Sequence, residues 1–269
     1  MATQLAQALT ERGHRIVAVY SRTLASAKTL AELVGARATD TITDLPATAD
    51  CFVIAVKDAA IATLMPQLAV GREGQTFLHT AGSVPMEVLA VPGVSHYGVF
   101  YPMQTFSKER RVDFSRIPIF IEGSDEPTVM LARTLAESVS GQVSELSTEA
   151  RRHLHLAAVF ASNFANHCYA LAAEVLSRHG LPFSVMLPLI EETAEKVHVM
   201  LPKDAQTGPA VRYDEQIIEA QSRLLASMPL AREVYDVMSR SIHRLKVESS
   251  SQAKRLLTSP SGRLKVEDL

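Results

Sequence analysis

The chain contains no tryptophan, only two cysteines and no large excess of either charge. Cys51 and Cys168 both lie in apolar runs, a placement typical of buried thiols in a reducing compartment rather than of a disulfide framework. With 27 basic and 29 acidic residues, the net charge of -2 gives no reason to expect a nucleic-acid partner. The apolar runs are also too short to span a bilayer, so we expect a cytoplasmic protein without a membrane segment.

Recognisable metal-binding motifs are missing as well. The nine histidines form no H-E-x-x-H motif and the cysteines no C-x-x-C motif. His153 and His155 are two residues apart, so on a helix their side chains would point about 200° apart instead of converging on one ion. We therefore expect no bound metal.

The sequence also has no G-x-G-x-x-G fingerprint. In a dinucleotide-binding domain this fingerprint precedes the ribose-reading turn by about 20 residues, and counting back from Ser21 places its sixth position at Ala2. We expect the fingerprint and the strand before it to lie upstream, because the start was assigned about ten residues late or because the chain is truncated. A truncated chain would bind the cofactor poorly, since the pyrophosphate would lack its amide groups. A different α/β fold that begins with a helix is the alternative.

Short β-branched runs alternate with helical spacing over residues 1–147, as in a parallel α/β sheet. Residues 148–248 show only helical spacing, and residues 249–269, rich in Ser, Lys and Arg, predict a flexible tail. The sequence thus predicts a Rossmann-like parallel-sheet domain over residues 1–147, without its first strand and glycine-rich loop, followed by an all-helical domain.

The turn after the first predicted strand indicates the cofactor. Ser21, Arg22 and Thr23 stand where a dinucleotide-binding fold meets the adenosine ribose. An acid at this place suits NAD, whereas Arg22 can hold the additional phosphate of NADP by bidentate pairing. We therefore expect NADP as the cofactor. The alternative is that these residues only cap the next helix.

Two further segments are expected at the carboxyl edge of the sheet, where a doubly wound fold binds its ligand. Ala55 and Val56 follow one predicted strand, and Thr80 and Gly82 follow the next. We expect these residues to line the cofactor, with the small residues of the second segment letting the nicotinamide approach. Asp58 is expected to be the N-cap of the helix that follows.

Asn163 and His167 lie four residues apart on a predicted helix that is otherwise apolar. Two polar groups on one face can point into an interdomain cleft, and His167 can act as a general acid or base near neutral pH. Hydrogen bonding between helices is the alternative.

Three segments occur in this order along the chain: residues 101–107 (YPMQTFS), 155–167 (HLAAVFASNFANH) and 206–212 (QTGPAVR). They resemble bacterial proteins that join a Rossmann-like domain to a helical domain of unknown function. The resemblance covers residues 1–248 and implies an NADP oxidoreductase. More remotely, the arrangement is similar to pyrroline-5-carboxylate reductase, ketopantoate reductase and the 6-phosphogluconate dehydrogenase superfamily.

That wider superfamily has a Lys-x-x-x-Asn pair on the first long helix of its second domain, and the lysine handles the proton that accompanies hydride transfer. Asn163 matches the asparagine, but Val159 stands in place of the lysine and cannot move a proton. His167, His96 or a substrate amine would then supply it. Substrate contact is inferred for four residues that match motifs of the closer family: Gln104, Thr105, Thr207 and Arg212.

We therefore expect an NADP-dependent oxidoreductase that acts on a small carbonyl or imine substrate in the interdomain cleft. Gln104, Thr105 and Asn163 would orient the substrate, and Arg212 could pair with a substrate carboxylate. The apolar surface of the helical domain predicts a homodimer. The alternative is a nucleotide-binding regulatory or scaffold protein without turnover, which Val159 and the missing glycine-rich loop favour.

Overall fold

The protein divides into two compact units, Met1–Ala165 and Asn166–Leu269. The structure, a computed structural model, describes residues 1–107 and 110–258, with side chains described up to residue 248. Within these residues, no helix combines the length and the apolar character needed to cross a membrane. The units meet within a continuous run of helix rather than at residue 147, so the first unit also contains the beginning of the helical region.

The described strands all belong to the first unit: β1 (Ala18–Tyr20), β2 (Arg37–Thr39), β3 (Cys51–Ile54), β4 (Thr76–His79), β5 (His96–Pro102), β6 (Ile119–Gly123) and β7 (Val143–Glu145). β1 and β2 form a parallel pair, and β3 to β7 form a second sheet in sequence order. The short β2 was not predicted, because Arg-Ala-Thr has neither the alternation nor the β-branched content of a typical strand.

Every strand pair is parallel except β5 with β6, which is antiparallel. A parallel neighbour needs a crossover connection that is usually a helix, whereas the described part of the segment between β5 and β6 contains one 3₁₀ turn, Phe114–Arg116. The prediction of a Rossmann-like sheet domain followed by a helical region is confirmed, with this antiparallel pair as the difference.

In its described residues, the first unit contains five α-helices, of which the first, third and fourth cover the larger sheet and the second packs on β1 and β2. They are α1 (Ala2–Glu11), α2 (Leu24–Val34), α3 (Asp58–Ala69), α4 (Glu126–Val139) and α5 (Thr148–Ala158). Phe77 and Leu78 of β4 are fully buried and belong to different apolar clusters, one formed with α3 and the other with α1 and α4. Successive side chains of a strand point to opposite faces, so the sheet is packed on both sides.

The two sheets are not hydrogen-bonded to each other in the described residues, since β1 pairs only with β2 and β3 only with β4. Val17 before β1 and Val53 within β3 are 38% and 37% exposed, whereas every residue of β4 is buried. β1 and β3 therefore each have one edge without a hydrogen-bonded neighbour.

A π-helical segment, Val159–Phe164, follows α5 directly. The remaining helices are α6 (Ala165–Ser177), α7 (Leu187–Val199), α8 (Pro202–Ala205), α9 (Pro209–Arg212), α10 (Glu215–Leu224) and α11 (Pro229–Thr258). No residue of α6 or α7 is buried, whereas α9, α10 and α11 pack on one another. Of the segment expected to be a tail, residues 249–258 belong to α11, and residues 259–269 lie outside the described residues.

Candidate active site

The carboxyl ends of β3, β4 and β5 lie at one edge of the larger sheet, because the three strands are parallel and in register. Thr80 continues this alignment by donating its amide to the Ile54 carbonyl (3.2 Å). Ala55, Val56, Thr80 and Gly82 therefore follow neighbouring strands at the same edge, as predicted from the sequence. In a doubly wound sheet this is the edge that binds the ligand.

The turn after β1 has the features of an anion site. Thr23 is the N-cap residue of α2, but its hydroxyl donates to Ser26 Oγ (2.9 Å) and caps no backbone amide. The first turn of α2 has no acidic residue, and the exposed Arg22 side chain has no ion pair with any described residue. Uncapped helix amides beside Ser21 and Arg22 fit the phosphate of the adenosine end of NADP.

Asp58 is the first residue of α3, and the N-cap is Lys57, so the expectation that Asp58 caps this helix is wrong. The Asp58 carboxylate instead accepts a hydrogen bond from Ser83 Oγ (3.0 Å). The bond links α3 to the loop after β4. It also places a negative charge at the ligand edge, where a helix N-terminus stabilises it.

Tyr101 and His155 form a hydrogen-bonded pair at this edge. The Tyr101 hydroxyl lies 3.0 Å from His155 Nδ1, and the two rings meet edge to face. Tyr101 comes from β5 and is 8% exposed, whereas His155 comes from α5 and is half-buried. Burial raises the pKa of Tyr101, an effect that the Arg151 charge opposes and the Asp58 charge reinforces.

Gly82 lies directly beneath this pair. A Cβ atom at Gly82 would be 2.6 Å from His155 Nδ1 and 2.8 Å from Tyr101 Cζ, closer than van der Waals contact allows. Only glycine therefore lets both rings approach the loop after β4.

Arg151 fixes α5 against this loop. Its guanidinium is fully buried, pairs with Glu122 of β6 (3.2 Å) and donates to the Val84 carbonyl (2.7 Å). Burial lowers the pKa of Arg151, and the Glu122 carboxylate acts against that shift. Because a buried cation needs a charged partner and further hydrogen bonds, the pair holds β6, α5 and the loop in one arrangement.

His79 ends β4 and is fully buried. Its Nδ1 accepts the Ala81 amide (3.1 Å), so the neutral ring supports the loop from below. Burial lowers the pKa of His79 to about 4, chiefly because the charged ring would lose its hydration, and the nearby Arg151 charge adds to the effect.

The other residues expected at the site lie in several places. Gln104 and Thr105 follow β5 and are exposed, and Gln104 Oε1 accepts the Thr105 amide (2.8 Å). Asn163 is exposed on the π-helical segment of the first unit. The other three expected site residues are exposed in the second unit: His167 on α6, Thr207 before α9, and Arg212 at the end of α9.

His96 does not lie with the edge residues. It is the first residue of β5, at the opposite end from Tyr101, and its Nδ1 lies 2.5 Å from Asp125 Oδ2. Sequence reasoning missed Tyr101, Arg151 and His155. The helical pattern could not identify the partners of Arg151 and His155, although Gly82 in a loop rich in small residues was a signal of close approach.

Among the side chains that the structure describes, no group of three or more His, Cys, Asp and Glu residues could hold a metal ion.

Known proteins are similar to this chain over most of its length. A Rossmann-like domain model matches residues 1–99, and the model of a domain of unknown function, DUF2520, matches residues 117–242. A solved candidate NADP oxidoreductase from Bacteroides fragilis is 51% identical, with a TM-score of 0.86, covering 90% of this chain and 94% of its own. The chain belongs to the Rossmann–DUF2520 family.

More distant solved structures share the fold of this Rossmann–DUF2520 protein. An imine reductase from Myxococcus stipitatus, in complex with NADP+, is 18% identical with a TM-score of 0.66, covering 93% of this chain and 91% of its own. A reductive aminase from Aspergillus terreus, in complex with NADPH and ethyl levulinate, is 20% identical with a TM-score of 0.66, covering 92% and 90%. No curated protein matches the chain.

Proposed function

We propose that this protein is an NADP-dependent oxidoreductase that moves hydride between the nicotinamide and a small carbonyl or imine substrate. The name of the Bacteroides fragilis relative supports the cofactor and the reaction class. The names of the more distant imine reductase and reductive aminase, which share only the fold, agree with this substrate class. NADPH supplies the hydride, and the chain must hold the cofactor, orient the substrate and supply a proton.

The turn Ser21–Arg22–Thr23 is the observation that carries the proposal. Uncapped amides of α2, two hydroxyls and an arginine without an ion pair among the described residues stand together with no carboxylate in the first turn. These groups can bind a phosphate. They offer no carboxylate to the ribose hydroxyls, which is the contact typical of NAD enzymes. Ala55, Val56, Thr80 and Gly82 would line the remainder of the cofactor.

Residues with proposed roles toward the substrate are those predicted from the sequence. Gln104, Thr105 and Asn163 would orient the reacting group by hydrogen bonds. Thr207 and Arg212 would contact the substrate, Arg212 through a carboxylate. The sequence leaves His167, His96 or a substrate amine as the source of the proton.

Titration of the protein with NADPH and NADH, followed by cofactor fluorescence, tests the cofactor assignment. We expect NADPH to bind more tightly. Arg22→Ala should weaken NADPH binding about tenfold, because a hydrogen bond to a charged group is worth about 1.5 kcal/mol or more. NADH binding should not change, since NADH lacks the phosphate.

Lys28→Ala is the matched control, because Lys28 is an exposed cation on α2, six residues after Arg22. Equal losses of affinity in the two variants would mean that only general charge was removed. If the protein binds neither cofactor, the proposal fails.

A catalytically inactive nucleotide-binding regulator is the second candidate. The observation in its favour is Val159, which lies in the π-helical segment and carries no proton. NADPH oxidation with any member of a panel of small ketones, aldehydes and cyclic imines would exclude it. Binding of NADPH without oxidation across the panel would favour it.

We also propose that the protein is a homodimer formed through the second unit. α7 has no buried residue and exposes Leu187, Leu189, Val197 and Val199. The members of each pair, Leu187 with Leu189 and Val197 with Val199, are two residues apart and point to different sides of α7. Apolar side chains exposed on several sides of a helix favour burial against another chain, and we propose that this chain is a second copy. The cytoplasmic location expected from the sequence stays a prediction.

A further inference from the structure

Reduction of a carbonyl or imine needs a proton as well as a hydride, because the oxygen or nitrogen gains electron density as the carbon is reduced. The residue in place of the superfamily lysine, Val159, cannot provide it. Of the two histidines considered from the sequence, His96 lies at the opposite end of β5. His167 is exposed on α6, in the second unit. The ligand edge of the first unit contains a proton-carrying side chain of its own.

The Tyr101–His155 pair lies at that edge. Its rings sit over Gly82, in the loop that follows β4, and Tyr101 is next to the end of β5. His79 accepts a hydrogen bond from a backbone amide of this loop, and Arg151 donates to one of its carbonyls. These two bonds fix the loop on which the rings pack. Groups that are already held in place reduce the loss of entropy on reaching the transition state.

We propose that Tyr101 is the catalytic proton donor of the reduction, and that His155 is the positioning residue that holds the Tyr101 hydroxyl and returns its proton. This inference rests on the proposed function. The substrate carbon gains the hydride that NADPH supplies, and its C=O or C=N π bond breaks. The Tyr101 O–H bond breaks, and the substrate oxygen or nitrogen takes the proton. His155 then passes a proton from water to the phenolate, so each reduction consumes one NADPH and one proton.

The surroundings of Tyr101 suit a general acid. A tyrosine hydroxyl carries its proton at neutral pH, and burial, which raises the pKa of Tyr101, keeps it there, whereas the Arg151 charge lowers that pKa and so makes the proton easier to donate. The charged groups that act on it are Arg151 of α5 and Asp58 of α3, and Arg151 stabilises the transient phenolate. The hydrogen bond to His155 links the buried hydroxyl to a ring that is half-exposed to water.

Steady-state kinetics of NADPH oxidation test the roles of the two residues. Tyr101→Phe should lower kcat about a hundredfold or more, with NADPH affinity unchanged, because it removes only the donated proton. His155→Asn keeps a hydrogen-bonding group near the place of Nδ1, so it should retain more of kcat than His155→Leu, whose side chain cannot hold the Tyr101 hydroxyl.

His153→Gln is the matched control, since His153 lies two residues away on α5, is exposed and contacts only its own helix through the Glu149 carbonyl. It should leave kcat and the pH profile unchanged. Gly82→Ala should lower kcat as well, because its methyl group would displace the pair, and it should also weaken NADPH binding, because Gly82 is proposed to line the cofactor. Retention of kcat by Tyr101→Phe to within about threefold of wild type would overturn the proposal, as donor removal costs far more.

An NMR measurement on the wild-type protein gives a second readout that needs no turnover and no variant. Adding NADP+, whose nicotinamide ring is positively charged, should move the ring proton signals of His155 and leave those of His153 in place. Bound NADP+ that moves neither signal would overturn the inference while the cofactor assignment stands. Absence of both binding and NADPH oxidation would defeat the proposed function, and the inference with it.

Discussion

His79 and Arg151 are polar side chains that the fold buries completely, and both hold the loop after β4. His79 does so as a neutral acceptor for the Ala81 amide, and Arg151 as a charged donor to the Val84 carbonyl. The structure of the ligand edge therefore depends on the neutral state of His79 and on the ion pair of Arg151.

His79 is expected to make the protein sensitive to acid. Its folded-state pKa of about 4 lies below the ordinary 6.5, so the unfolded chain takes up the proton first. Stability is fully present above pH 6.5 and is lost as the pH falls toward 4. Between pH 7 and pH 5 the loss from this residue should be about 2 kcal/mol.

His79→Asn cannot titrate but keeps a polar group near the place of Nδ1. Urea unfolding at pH 7 and at pH 5 should show lower stability of the variant at pH 7 and a smaller loss on acidification than in the wild type. An equal loss in both proteins would assign the acid sensitivity to other groups.

At this scale the sequence predicted individual residues better than their partners. The position of Arg22 between a strand and a helix could be predicted from local signals, whereas its role toward the cofactor stays a proposal. The contact of Tyr101 with His155 joins residues 54 positions apart. Helical periodicity indicates which face of α5 is apolar, but not which strand that face meets, so this contact needed the three-dimensional structure.

At the scale of elements, most helices and strands could be predicted because their ends carry local signals. Gly35, which ends α2 in the left-handed conformation, is such a signal. The antiparallel direction of β6 could not be read from its own residues, since direction depends on the connection that leads into it.

We expect local opening of β1 and β3, which lie at sheet edges, to be easier than local opening of the inner strands of the larger sheet. Each has one edge without a hydrogen-bonded neighbour, so its outward amides lack ladder partners. Hydrogen exchange followed by mass spectrometry should show β3 exchanging at least about ten times faster than β4, because local protection follows burial and pairing.

β4 is a suitable internal reference, because it has four residues like β3 and is its parallel neighbour. Equal protection of the two strands would show that the outer edge of β3 is covered in solution.

At the scale of the whole molecule, the two units differ in how their apolar residues are used. Both buried apolar clusters formed by the described residues lie in the first unit. In the second unit, the residues that are described include few buried ones, among them Ala210, Met228 and Ala231. Sequence periodicity predicted that this region is helical, but amphipathic spacing is the same whether a helix packs within its chain or on another copy.

The proposed homodimer can be tested by light scattering coupled to size-exclusion chromatography. The wild type should have twice the mass of one chain, and Leu189→Asp on α7 should shift the population toward the monomer, because a buried charge opposes association. Val70→Asp is the control, since Val70 is an exposed apolar residue of the first unit. A wild-type monomer, or equal dissociation of both variants, would exclude an interface at α7.

The π-helical segment also affects how this protein is compared with its relatives. A π turn closes with bonds from residue i to i+5, so it contains about one residue more than an α-helical turn. A relative with a regular helix at this place is therefore one residue shorter there, and its alignment needs a gap within residues 159–164. The position of that gap decides whether Val159 or Ala158 is set against the lysine of the hydroxyacid dehydrogenases. Both are apolar, so either alignment sets a residue that cannot carry a proton against that lysine.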